Sequence, residues 1–329
     1  MVVKIAVIGV GRIGAVHAAN LVSCATVDEV RVFDPDPAVR GIEGTRVAAS
    51  IGEALDGSSG AVVATPTVDH PEHVRTVAAA GVPVFCEKPI SLDLAASRAV
   101  VGEVRALGVE LQVGFQRRFE PGFVELRRLV ESGELGEVYL ARAASHDHHP
   151  PHESYLATSG SIFRDMHIHD FDALPWLVGQ RVVRVHAQGA VLIDEMYERH
   201  GDVDTCAVIL TFENGALAVI TGARADALGY DHRTEVFGSA DSVCAGLGPR
   251  MPMRSVDPGG PQPVDAFPSF PVRFAEAYRA EMEAFAELAA GRAANRCPGE
   301  HAVEALRLAA AAERSLATGQ PVDVADIAD

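Results

Sequence analysis

The opening residues 2–14, VVKIAVIGVGRIG, place an apolar run directly before Gly9-Val10-Gly11-Arg12-Ile13-Gly14. The run is short and β-branched, as expected of a strand buried on both faces, and a helix-period segment follows from Ile13 to Val22. A G-x-G-x-x-G between strand and helix has a physical reason at each glycine. The first allows a tight turn, the second lets backbone approach a pyrophosphate, and the third lets the helix pack on the strand, whose neighbouring helix N-terminus is partly positive. Gly9, Gly11, Arg12, Ile13 and Gly14 are therefore expected to hold a dinucleotide. Asp34, twenty residues past Gly14, ends the second strand, where a carboxylate accepts hydrogen bonds from the adenosine ribose diol. Pro35, Asp36 and Pro37 follow it, with no Arg to receive a 2'-phosphate, so the expected cofactor is NAD rather than NADP.

The same alternation continues: strands at Val30 to Phe33, Ala61 to Ala64, Val84 to Cys86 and Glu110 to Gly114, with helices at Pro71 to Ala80 and at Leu92 to Leu107 behind a Ser91 cap. This is an α/β fold, a doubly wound parallel Rossmann sheet over residues 1–119. Residues 120–329 read differently. A helix at Phe123 to Ser132 precedes β-branched runs at Val138 to Ser145, Val182 to Ile193, Thr205 to Phe212, Ala216 to Ala223 and Arg233 to Phe237. Asn214-Gly215 between two of these runs signals a hairpin. Gly246 to Phe270 lacks periodicity and reads as a loop or lid, and helices at Val272 to Ala290 and His301 to Thr318 close the chain. The second domain is thus expected to be α+β, with a large, mostly antiparallel, open-faced sheet.

A chain of 329 residues is long enough for two such domains. With 45 acidic against 28 basic residues, the net charge of −17 opposes binding to nucleic acid or anionic membranes. No stretch approaches the roughly 20 apolar residues of a membrane span. The five cysteines include no C-x-x-C pair, which suits reduced thiols and a cytoplasmic setting.

Glu87-Lys88-Pro89 follows the Val84 to Cys86 strand, at the edge where a Rossmann cofactor presents its nicotinamide. With the fingerprint glycines, with Gly114-Phe115-Gln116-Arg117-Arg118-Phe119 and with Asp165-Met166-His167-Ile168-His169-Asp170, the chain resembles the glucose-fructose oxidoreductase, inositol dehydrogenase and MocA family along nearly its whole length. The resemblance implies a catalytic centre of Lys88, Asp165 and His169. It also implies cofactor contacts from Thr65, Pro66, His70, Glu87, Lys88 and Gln116, and a homo-oligomer, a tetramer by analogy. Asp and His four apart share one face of a helix, so the carboxylate can orient the imidazole.

Within the family the closest likeness is to inositol 2-dehydrogenases, on G-F-Q-R-R-F, on Ser161 to Asp172 and on Gly229-Tyr230-Asp231. By position His146, Tyr230 and Tyr278 resemble groups that contact the substrate, and Arg118, with Lys88, Asp165 and His169, joins the expected substrate set. The implied activity is NAD-dependent oxidation of a ring hydroxyl of a cyclic polyol, myo-inositol first. The chain departs from the usual pattern at Ser145-His146-Asp147-His148-His149-Pro150, where H-R-N or S-R-D is common, and at Ser161, where a glycine is usual.

Six of the thirteen histidines fall between His146 and His169. Adjacent His148 and His149 cannot easily face one ion, so no metal is expected. Three rival functions share the fold: the same chemistry on another sugar or aminocyclitol, glycoside hydrolysis with retained NAD, and a binding protein, which should lack one of the three catalytic residues.

Overall fold

The computed structural model describes residues 2–36, 39 and 41–328; Pro37, noted above beside Asp34, lies outside the described residues. Strands β1 (Lys4–Ile8), β2 (Glu29–Phe33), β3 (Arg46–Val47), β4 (Gly60–Val63), β5 (Val84–Cys86) and β6 (Leu111–Val113) form one sheet in the order β3-β2-β1-β4-β5-β6. Every pairing in it is parallel. Helices α1 (Arg12–Val22), α2 (Ile51–Leu55), α3 (His70–Ala79) and α4 (Leu94–Ala106) connect the strands. Strand order reverses between β1 and β4, the switch point at which doubly wound sheets bind ligands beyond their carboxyl edge. The cap of α4 is Asp93, whose Oδ1 accepts the Ala96 N–H at 2.7 Å, rather than Ser91 as the sequence suggested. Ser91 instead accepts the Asp93 N–H, tightening the turn before the helix.

The second set of elements runs α5 (Pro121–Glu131), β7 (Val138–His146), α6 (Glu153–Ser159), α7 (Ile162–Asp165), α8 (Ile168–Val178), β8 (Val182–Ala190), α9 (Met196–Arg199), β9 (Thr205–Phe212), β10 (Leu217–Ala223), β11 (Asp231–Gly238) and β12 (Ser242–Ala245). Then come α10 (Phe270–Arg273), α11 (Ala275–Ala289), α12 (Gly299–Thr318) and β13 (Val322–Asp323). The sheet order is β12-β11-β7-β10-β9-β8-β13, antiparallel except where β10 pairs with β7. The β9–β10 hairpin turns at Asn214-Gly215, with Gly215 at φ +88° and Asn214 Oδ1 accepting the Ala216 N–H. Burial alternates along β9 and β10, so one face is packed and the other exposes Ile209 and Leu217.

Two segments differ from the expectation for local reasons. β8 stops at Ala190 instead of reaching Ile193, because the Asp204 carboxylate accepts the N–H groups of Leu192, Ile193 and Asp194 at 2.7–3.0 Å and draws the chain off the ladder. The helix expected over 272–290 is two helices, interrupted at Phe274.

By internal contacts the chain divides into one unit of Met1–Glu120 with Glu276–Val303 and another of Pro121–Ala275 with Glu304–Asp329. The sequence reading assigned everything after residue 119 to the second domain; segment 276–303 belongs to the first unit instead. Its α11 supplies Met282, Phe285 and Leu288 to the core of Val3, Ile5, Val7, Val30, Val32, Val62 and Phe85. Phe285 meets Phe85 edge-on at 5.6 Å, and the Val113 N–H bonds the Cys297 carbonyl at 2.9 Å. An amphipathic helix completes one face of a sheet that sequence-local elements leave uncovered.

Phe285→Ala should remove a side chain with no exposed surface and destabilise the first unit by about 3–5 kcal/mol, read from denaturant unfolding.

Candidate active site

In the first unit the chain leaves β1 at Gly9, which adopts φ +89°, and enters α1 with Gly11 as its cap. A Cβ on Gly14 would lie 2.0 Å from the Gly9 carbonyl oxygen, and one on Gly9 would lie 2.8 Å from the Ala64 backbone. These two glycines are fixed by packing. A Cβ on Gly11 would meet nothing within 4 Å, which leaves open space for a ligand at the helix N-terminus. Asp34 Oδ2 accepts the Val10 N–H at 2.7 Å, holding the carboxylate beside the glycine turn. Beyond it a cleft of about 620 Å³ is lined by Val10, Asp34, Pro35, Asp36, Val39 and Ala48, among others. Its described lining carries no Arg or Lys. Gln116 is buried, and its Oε1 meets no donor among the described residues, which leaves it able to accept from a ligand amide. The chemistry of these residues fits NAD.

Lys88 is half-buried and stands beyond β5 between two anchored neighbours. Glu87 Oε1 takes the Nε2 of buried His17 at 2.6 Å, and its Oε2 accepts the Lys88 N–H at 3.3 Å. His70 sets both ring nitrogens 2.8 Å from backbone carbonyls, Nδ1 at Pro89 and Nε2 at Thr65. Burial pushes the His70 ring below its ordinary pKa. Glu87 and His70, both expected at the cofactor, staple the Lys88 turn to α1 and to the end of β4. Thr65 Oγ1 pairs with His73 Nδ1 at 3.1 Å. Tyr278 and Arg118 were expected at the substrate. Tyr278 is buried in this unit with its ring edge-on to His17 at 5.9 Å, and Arg118 Nη1 donates to His301 Nδ1 at 2.9 Å, where it fixes the first turn of α12.

In the second unit Asp165 and His169 do not share one helix. Asp165 ends α7, the chain breaks at Met166-His167, and His169 lies in the first turn of α8. Asp165 Oδ1 accepts the Tyr155 hydroxyl at 2.8 Å, and Oδ2 accepts Arg224 Nη1 at 2.9 Å. The break turns His167 onto the sheet. Its Nδ1 donates to Asp170 Oδ2 at 2.8 Å, and Nε2 lies 3.2 Å from Cys206 Sγ, with all three side chains buried. Ser145 donates to both Asp170 oxygens, at 2.8 and 3.0 Å. Burial alone would push the imidazole of His167 down, but attraction to Cys206 and the Asp170 hydrogen bond more than offset it, leaving it raised from 6.5 to about 9. Neither Arg224 nor the His167-Asp170 pair stood out in the sequence. The one available signal was a charged residue inside an apolar stretch, and its partners come from distant strands.

His146 ends β7, with Nε2 3.3 Å from Thr221 Oγ1 and Nδ1 3.7 Å from Asp226 Oδ2. Tyr230 stacks on His232 with centroids 4.2 Å apart, and its N–H bonds the Phe267 carbonyl at 2.7 Å, which pins the end of the Gly246 to Phe270 loop. His148 contacts the Asp226 carbonyl and His152 caps α6. Among the described residues no three His, Cys, Asp or Glu side chains are grouped as metal ligands.

A parallel sheet in this order with an open glycine turn and an acid at the end of β2 is an arrangement suited to a dinucleotide. Comparison with known proteins makes the class specific. Residues 3–115 match the oxidoreductase family with an NAD-binding Rossmann fold, and residues 123–244 match the GFO/IDH/MocA C-terminal domain. The chain is 39% identical to a myo-inositol dehydrogenase of Streptomyces leeuwenhoekii over 96% of this chain and 98% of that one. A solved probable dehydrogenase of Thermotoga maritima superposes with a TM-score of 0.92 at 34% identity, covering 99% of this chain and 100% of the other. A scyllo-inositol dehydrogenase of Lactobacillus casei, solved with bound NAD(H) and scyllo-inositol, gives 0.87 at 25% identity, covering 99% and 100%. The chain belongs to the GFO/IDH/MocA family and is an NAD-dependent oxidoreductase.

Gly14→Ala should drive its new methyl into the Gly9 carbonyl and weaken NAD binding at least tenfold, measured by calorimetric titration. His167 binds its proton more tightly in the folded chain than an ordinary histidine does. Its contribution to stability is fully present below pH 6.5 and fades as pH rises toward about 9, so the urea midpoint should fall across that window. Asp170→Asn should flatten the fall.

Proposed function

We propose that the protein oxidises a ring hydroxyl of a cyclic polyol to a ketone with NAD, and that myo-inositol is its substrate. The observation that carries this reading is 39% identity, over 96% of the chain, to a protein named a myo-inositol dehydrogenase, in a chain that keeps Lys88, Asp165 and His169. NAD, when bound, supplies the hydride acceptor. His169 removes the hydroxyl proton, and the ionised Asp165 favours the imidazolium that results. The Lys88 ammonium donates a hydrogen bond to the reacting oxygen as negative charge develops on it. His146 and Tyr230 offer polar tips suited to recognising ring hydroxyls, and a substrate lacking them leaves such groups unpaired. The Gly9 to Gly14 turn, Asp34, Thr65, Pro66 and Gln116 hold the cofactor in this reading.

The proposal extends to assembly and setting. The exposed sheet face with Ile209 and Leu217 is the surface through which copies associate into a homotetramer. All five cysteines are free thiols and four are buried, which suits the cytoplasm.

With NAD and a panel of myo-, scyllo- and chiro-inositol, glucose and an aminocyclitol, NADH formation should be strongest on an inositol. Lys88→Ala and His169→Ala should each lower kcat at least a hundredfold while NAD still binds. Silence across the panel with NAD bound would overturn the substrate reading. Light scattering should return a tetramer that Ile209→Glu reduces to smaller species.

A further inference from the structure

The first residue after β10 is a buried cation that the proposed chemistry leaves unused. Arg224 is 2% exposed, and its backbone is clamped where it stands: its N–H bonds the Asp204 carbonyl at 2.8 Å, and the Asp147 N–H bonds the carbonyl of the preceding Ala223 at 2.9 Å. One nitrogen, Nη1, serves two carboxylates, Asp165 Oδ2 at 2.9 Å and Asp147 Oδ2 at 3.4 Å. Nε and Nη2 are buried and meet no acceptor among the described residues. A guanidinium normally satisfies several donors at once. This one is held for a single corner.

The groups facing Asp165 come from several elements. Tyr155 on α6 donates its hydroxyl, and Arg224 beyond β10 donates its guanidinium. Asp147 at the end of β7 and Asp202 before β9 add negative charge, and buried His167 adds positive charge that reaches Asp147. Asp202 is tied up elsewhere, both oxygens accepting the Ile162 N–H at 3.0 Å at the start of α7. Tyr197, fully buried, and Asp204 are further titratable groups near the guanidinium. Burial raises both Asp147 and Asp202, whereas Arg224 stays a cation across the whole working range. Arg224 is thus a permanent positive charge in direct hydrogen-bond contact with Asp165.

We propose that Arg224 is a positioning residue for the dehydrogenase reaction: it keeps Asp165 ionised and aimed, and so sets the pH at which His169 becomes a working base. The Tyr155 hydroxyl fixes the other oxygen of the same carboxylate. Asp147 competes for Nη1 and moderates the effect. Without the guanidinium, Asp165 takes up a proton at higher pH, and while ionised it attracts a proton to His169 more strongly. Both consequences move the acid limb of kcat/KM in one direction, upward.

The proposal rests on the polyol dehydrogenase reading, and the experiment separates the two. The wild-type protein is assayed with NAD and myo-inositol across pH, beside Arg224→Met, Arg224→Lys and Asp147→Asn, with NAD affinity and thermal midpoint measured for each. Absence of wild-type turnover would sink the functional reading and leave Arg224 no reaction to position. Given turnover, Arg224→Met should raise the acid limb by about one pH unit or more, the scale of a lost opposite charge within hydrogen-bond range, and leave NAD affinity unchanged. Arg224→Lys should restore most of the wild-type limb. Asp147→Asn frees the guanidinium for Asp165 and should lower the limb, and this variant decides the matter if Arg224→Met does not fold. A lower thermal midpoint with the limb unmoved in Arg224→Met, or an unmoved or raised limb in Asp147→Asn, would overturn the proposal.

Discussion

The hydrogen bond between His17 and Glu87 carries the organisation of the first unit. A carboxylate taken out of water is costly unless a partner meets it, and here the partner projects from the helix that the glycine turn opens. Two features separated by more than seventy residues of sequence are thereby locked together: the turn suited to a pyrophosphate and the loop bearing Lys88. The rings of Phe85 and Tyr278 stand edge-on to His17 and keep water from the bond, which strengthens it in a low-dielectric surrounding. His70 performs the parallel task from α3. Glu87, His70, Arg118 and Tyr278, which sequence position suggested for binding, are each held in place by neighbouring groups of the first unit.

The second unit solves a related problem by interrupting a helix. In a continuous helix His167 and His169 would differ by about 200° around the axis, and a charged network beneath one would constrain the other. The break at Met166-His167 separates their duties. His167 reaches down to Asp170, Cys206 and, through Asp170, Ser145, which ties α8 to β7 and β9. His169 stays half-buried on the first turn. Buried polar networks of this type add little net stability, yet they permit few alternative registers of helix on sheet.

Much of this was legible in the chain. The glycine fingerprint, the parallel order it implies, Asp34 and the Asn214-Gly215 hairpin follow from local rules, because each requirement is met within a few residues. The second domain's antiparallel texture was readable from alternation along Thr205 to Phe212 and Ala216 to Ala223. What escaped was decided at long range. Nothing near Val272 to Ala290 says that its apolar stripe completes the first sheet, and nothing near Asp165 reveals that Arg224 will reach it from β10. The neighbours of Tyr278 and Arg118, His17 and His301, are likewise supplied by packing from far along the chain.

The return of segment 276–303 to the first unit bears on how the protein is made. Residues 1–120 leave the ribosome with all six strands of their sheet but without Met282, Phe285 and Leu288, so one apolar face stays uncovered while residues 121–275 are synthesised. At translation rates of roughly 5–20 residues per second that interval is on the order of ten seconds. The nascent dinucleotide unit therefore spends much of its synthesis as an open sandwich, exposed to chaperones and to aggregation. Its sealing coincides with the emergence of the last helices, so the unit that comes first in the chain is among the last to finish folding.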